Sequence, residues 1–90
     1  MPAFSNESLT RITLALSQCP RRNPYYHHEL TRDGLSASFG YGEGIRMWRE
    51  DGKYICLQHR ERSTFVDTFD DEEAAVERFI RLCGAGMASC

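Results

Sequence analysis

The sequence predicts an α+β domain: an N-terminal helix, a four- to five-stranded antiparallel meander and a C-terminal helix, with both helices on one face of the sheet. Three observations predict it. Leu9, Ile12 and Leu16 recur at helical spacing ahead of Pro20. From Tyr25 to Phe69 the apolar residues alternate instead, and glycine-bearing turns interrupt them at Asp33-Gly34, Gly40-Tyr41-Gly42-Glu43-Gly44 and Asp51-Gly52. Helical spacing then returns in Ala75, Val76, Phe79, Leu82 and Cys83. Each helix offers a single apolar stripe, so the economical packing covers one sheet face and leaves the other open.

A chain of 90 residues, 41% of them hydrophobic, supports one modest core and therefore a single domain over residues 1–90, with a loose tail from about residue 85. Charge is nearly balanced, 11 basic against 13 acidic residues for a net −2, so no global cationic field draws the chain to nucleic acid. The N-terminal residues lack the charged and apolar regions of a signal peptide, and no apolar run approaches the ~20 residues that span a bilayer. A cytoplasmic location and no membrane contact are expected. The cysteines at 19, 56, 83 and 90 show no framework spacing and read as reduced thiols.

Taken in order, Ser5 or Asn6 caps a first helix that runs to about Gln18. Leu9, Ile12 and Leu16 form its buried stripe, with Ala15 and Cys19 at the edge, and Leu14 points away. Arg21-Arg22-Asn23-Pro24 is a basic linker. In the first strand Tyr26, His28 and Leu30 share a side, and a two-residue Asp33-Gly34 turn would pair Leu30 with Ala37 and His28 with Phe39. A glycine-rich loop then leads to a strand over Ile45 to Arg49, with Ile45 opposite Phe39.

The central hairpin, Ile45 to Arg49 with Lys53 to His59, admits two registers. A two-residue Asp51-Gly52 turn sets Trp48 beside Ile55 and Met47 beside Cys56, giving two mixed faces. A three-residue turn with Gly52 left-handed gathers Ile45, Met47, Ile55 and Leu57 on one aliphatic face and leaves Arg46, Trp48, Tyr54 and Cys56 on the other. The purity of the aliphatic face favours the second. Thr64 to Phe69 is a further strand of either facing. Asp70 is the expected N-cap of the second helix, with Glu73 completing a capping box, Glu77 and Arg81 paired along its exposed side, and Gly84 as its stop.

No convergent chemistry stands out. Cys56 and His59 fall on opposite faces of one strand, as do His27 and His28, so no metal site is expected. No nucleophile elbow, phosphate loop or metalloprotease motif is present, and neither catalysis nor a cofactor is expected. Arg21, Arg22, Tyr25, Tyr26, His27 and His28 mix cations with rings as single-stranded RNA binders do, so a small RNA-binding or regulatory module is one alternative. A secretion chaperone or adaptor is another.

Met47-Trp48-Arg49-Glu50-Asp51-Gly52-Lys53-Tyr54, then Phe65-Val66-Asp67-Thr68-Phe69-Asp70-Asp71-Glu72-Glu73-Ala74-Ala75 and Phe79, resemble small bacterial immunity proteins. These neutralise the toxin domains, often nucleases, of contact-dependent growth inhibition and related polymorphic toxin systems. The resemblance covers about the last half of the chain. It implies a noncatalytic inhibitor whose partner is a cognate toxin protein domain. The sheet-face reading assigns partner contact to Arg46, Trp48 and Tyr54, and the acidic run adds Asp67, Asp70, Asp71 and Glu72 for basic groups on that partner.

Overall fold

The computed structural model describes residues 2–89. The Ser5 side chain accepts the Ser8 amide and opens α1 (Asn6–Ser17), whose Ile12 and Leu16 are buried. The strands β1 (His27–Leu30), β2 (Gly34–Gly40), β3 (Glu43–Glu50), β4 (Lys53–Arg60) and β5 (Ser63–Phe69) form one antiparallel meander in sequence order, and α2 (Glu72–Ala88) closes the chain. The fold is the α+β arrangement expected, with five strands.

The helices lie side by side and run in the same direction. Glu72 at the start of α2 accepts from the Ser5 amide and hydroxyl and from the Ser8 hydroxyl. Arg11 pairs with Glu77 at 3.3 Å, and Cys19 packs beside Gly84 at the far end. Together they cover one face of the sheet. The core is built from Phe4, Ile12 and Leu16, the strand residues Leu35, Ala37, Ile45, Met47, Tyr54 and Cys56, and Ala75, Val76, Phe79, Cys83 and Met87 of α2. Burying a side chain of this size contributes roughly 1.5–3 kcal/mol.

The central hairpin takes the register with the shorter turn. Asp51 and Gly52 both have positive φ, 51° and 79°, and Glu50 pairs with Lys53, Trp48 with Ile55 and Met47 with Cys56. This is the two-residue geometry whose twist matches that of the flanking strands. The three-residue register is therefore wrong by one residue, and every β4 side chain changes face. Tyr54 and Cys56 join the core, while Ile55 and Leu57 turn outward.

The first hairpin is also displaced, but by two residues. Leu30 pairs with Leu35 and His28 with Ala37 across a loop closed by Thr31, whose hydroxyl donates to the Gly34 carbonyl and accepts from the Gly34 amide. A shift of two preserves the facing, so His28 and Leu30 still point toward the helices. Ile45 pairs with Ala37, because a bulge between Ser38 and Gly40 leaves Phe39 without an opposite residue.

At α2 the N-cap is Asp71, not Asp70: its carboxylate accepts the Ala74 amide at 2.7 Å. Glu77 pairs with α1 and not with Arg81. Gly84 does not end the helix, which continues to Ala88. The Met87 carbonyl accepts the Arg22 and Asn23 amides at 2.8 and 2.9 Å, so residues 85–88 are an anchored part of the fold and not a loose tail. Cys90, included in that expected tail, lies outside the described residues.

Candidate protein-contact surface

The register places three cross-strand rows on the uncovered sheet face. Gly34, Trp48, Ile55 and Thr68 form one row; Glu29, Ser36, Arg46, Leu57 and Val66 form the next; His27, Ser38, Gly44, His59 and Thr64 form the third. Trp48, Ile55, Leu57 and Val66 thus make a contiguous apolar surface, half-buried among themselves except for Val66, which is 59% exposed. Apolar area of this kind, edged by charge, is the chemistry of a binding face.

Gly34 sits directly beside Trp48, and with no side chain there the indole borders a hollow. That hollow, about 360 Å³, is lined by Glu29, Thr31, Asp33, Ser36, Arg46 and Trp48 among others. Arg46 is exposed and makes no ion pair among the described residues. The surface therefore combines an aromatic anchor, aliphatic neighbours and an unengaged guanidinium, with Glu29 and Asp33 across the hollow.

Of the residues the sequence nominates, Trp48 and Arg46 are brought together here. Tyr54 is not. It is 5% exposed beneath the segment that precedes α1, packs against Phe4 at 5.4 Å between ring centroids, and donates from its hydroxyl to the Ala3 carbonyl at 2.8 Å. It holds the N-terminal segment onto the sheet, and burial raises its phenol pKa.

The acidic run is dispersed among internal partners. Asp67 accepts from Arg78 of α2 at 2.7 Å, Asp70 pairs with Lys53 at 3.3 Å, and Asp71 caps α2. Glu72 is pushed upward in pKa by partial burial, but the hydrogen bonds from Ser8 and Ser5 outweigh this and hold its carboxyl below the usual range. Its contacts tie α1 to α2. Asp70, with 89% of its side chain exposed, is the member freest to meet another molecule.

The residues absent from the sequence-based set are Ile55, Leu57 and Val66. The signal for Ile55 and Leu57 was Asp51-Gly52 itself, since a two-residue turn of that composition fixes which face they occupy.

The basic linker and first strand turn inward. Arg21 donates to the Tyr26 carbonyl at 3.1 Å and lies 5.6 Å from the centroid of the Tyr26 ring, which is itself buried. The Tyr26 hydroxyl meets His28 Nδ1 at 2.9 Å, with Cys83 packed nearby. Burial keeps these groups neutral: the Cys83 thiol is pushed up to about 12, the Tyr26 phenol is raised, and His28 is lowered by burial and then by Arg21. A thiol so disfavoured as thiolate is not an activated nucleophile. Among the described residues no group of three or more His, Cys, Asp or Glu side chains is placed to hold a metal ion. Among the described residues no helix is long and apolar enough to cross a membrane.

No protein-family model, curated protein or solved structure matches this chain.

Proposed function

We propose that this chain is a noncatalytic immunity protein that binds a cognate bacterial toxin domain in the cytoplasm and neutralises it by stoichiometric contact. The observation that carries the reading is the uncovered sheet face, where Trp48, Ile55 and Leu57 lie in register beside Arg46. An aromatic anchor among aliphatic neighbours and next to an Arg is the composition in which binding energy concentrates. The resemblance of the second half of the chain to immunity proteins points the same way, and so does the burial of Cys83 beside Tyr26, which leaves that thiol unactivated. In this reading Trp48 and Arg46 keep the contact role the sequence suggests, Ile55 and Leu57 replace Tyr54, and Asp70 supplies the acidic contribution.

The test is co-expression with the C-terminal domain encoded by the gene immediately upstream. The chain should restore growth to cells producing that domain and co-purify with it at equal stoichiometry. Leu57→Asp, which puts a charge in the middle of the apolar rows, should abolish both effects. Full protection by Leu57→Asp and Trp48→Ala alike would refute this face as the site of neutralisation.

A further inference from the structure

We propose that β5 is a self-association edge, along which two copies of the chain pair their β5 strands antiparallel about Val66 and join their sheets into one. The edge borders the open face and shares Val66 and Asp70 with it, while a dimer formed this way leaves Arg46, Trp48, Ile55 and Leu57 uncovered.

The two edges of the sheet are unlike. β1 has four residues, whereas β5 has seven, paired with β4 without a break in register from Ser63 to Phe69. On its other side β5 has no neighbouring strand among the described residues. It also lacks the usual protections of an edge: there is no proline, lysine or bulge, and its one charge, Asp67, is held by Arg78. Phe65 and Val66 at the middle of the strand are 52% and 59% exposed, although they point to opposite faces. A cover on either face would shield one of them. A strand added alongside shields both.

The sequence around β5 is complementary to itself when reversed. Arg60-Glu61-Arg62 precedes the strand and Asp70-Asp71-Glu72 follows it, so reversal about Val66 brings two opposite-charge pairs, Arg60 with Glu72 and Arg62 with Asp70, against one like-charge pair, Glu61 with Asp71. Antiparallel pairing over the full strand centres on its midpoint, Val66. It sets Thr64 opposite Thr68 of the second copy, giving a β-branched row, and Arg62 opposite Asp70 of the second copy on both sides of the two-fold. A parallel arrangement would instead put like-charged ends together. This charge pattern is why a second copy fits the edge better than an unrelated strand.

Sedimentation equilibrium of the full chain tests the proposal. The wild type should show a concentration-dependent monomer–dimer equilibrium, and Val66→Lys, which opposes two like charges at the two-fold, should weaken it by about tenfold or more. Circular dichroism should show that the variant keeps its fold, because Val66 is exposed. Arg62→Asp should also weaken the dimer, and adding Asp70→Arg in the same chain should restore it. A wild type that stays monomeric up to its solubility limit, a dimer indifferent to Val66→Lys, or a charge swap that fails to restore association would overturn it.

Discussion

Gly86 lies directly beneath the ring of Phe39: a Cβ at position 86 would meet Cδ1 and Cε1 of that ring at 2.4 Å. The glycine thus serves close approach of α2 to the bulge in β2. Asn23 secures the same junction, its amide donating to the Phe39 carbonyl at 2.9 Å and the Gly86 carbonyl at 3.1 Å. The linker, the sheet and the end of α2 are joined at one buried side chain.

Gly86→Ala therefore sets two effects against each other. Alanine favours the helix by about 1 kcal/mol, whereas overpacking costs about 1–3 kcal/mol. The ring has little freedom to swing away, since it stacks on Tyr26 with centroids 6.0 Å apart. Urea denaturation should show a net loss of about 1 kcal/mol. In a Phe39→Ala background the same substitution should become stabilising, because only the helix preference remains.

The two large rings of the central hairpin should respond oppositely to truncation. Tyr54→Ala removes a core ring and should cost about 3–5 kcal/mol, while Tyr54→Phe, which removes only the hydroxyl bonded to Ala3, should cost about 1 kcal/mol. Trp48→Ala, on the uncovered face, should leave the melting temperature little changed. Thermal melts of the three variants check this ordering.

The order of elements, the apolar stripes of both helices and the one-sided packing were legible because periodicity and caps report them directly. Facing in the central hairpin was not. Two signals competed there, the purity of an aliphatic face and the turn chemistry of Asp51-Gly52, and the turn decided. A one-residue difference in register exchanged Tyr54 and Cys56 for Ile55 and Leu57, whereas the two-residue difference at Leu30 and Leu35 changed no facing. The end of α2 was obscured for a related reason. Gly84 and Gly86 have the composition of a helix stop, yet the helix runs through both, and the small size of Gly86 serves packing against Phe39, which is distant in sequence. The dispersal of the acidic run was equally hidden, since Arg78, Lys53 and the Ser5-Ser8 pair meet it only in the fold.

Stability should fall on both sides of a plateau in pH. His28 is held neutral in the fold with its pKa below the usual 6.5, so its contribution is present above 6.5 and lost as pH falls through the lowered value. Glu72, depressed below the usual 4.5, adds a second loss further down. On the alkaline side Cys83 stays protonated in the fold and ionises near 9.0 when unfolded, so stability declines as pH rises above 9.0 toward about 12. Urea titrations across pH should show this profile. His28→Gln should remove the slope just below 6.5, and Glu72→Gln the one below 4.5.

The most direct measurement is calorimetric titration of the proposed partner, the C-terminal domain encoded by the gene immediately upstream, with wild type and Trp48→Ala. The substitution should weaken binding by roughly 2 kcal/mol or more at an unchanged melting temperature. Equal affinity for the two proteins, or loss of binding only through unfolding, would contradict the assignment of the uncovered face as the contact surface.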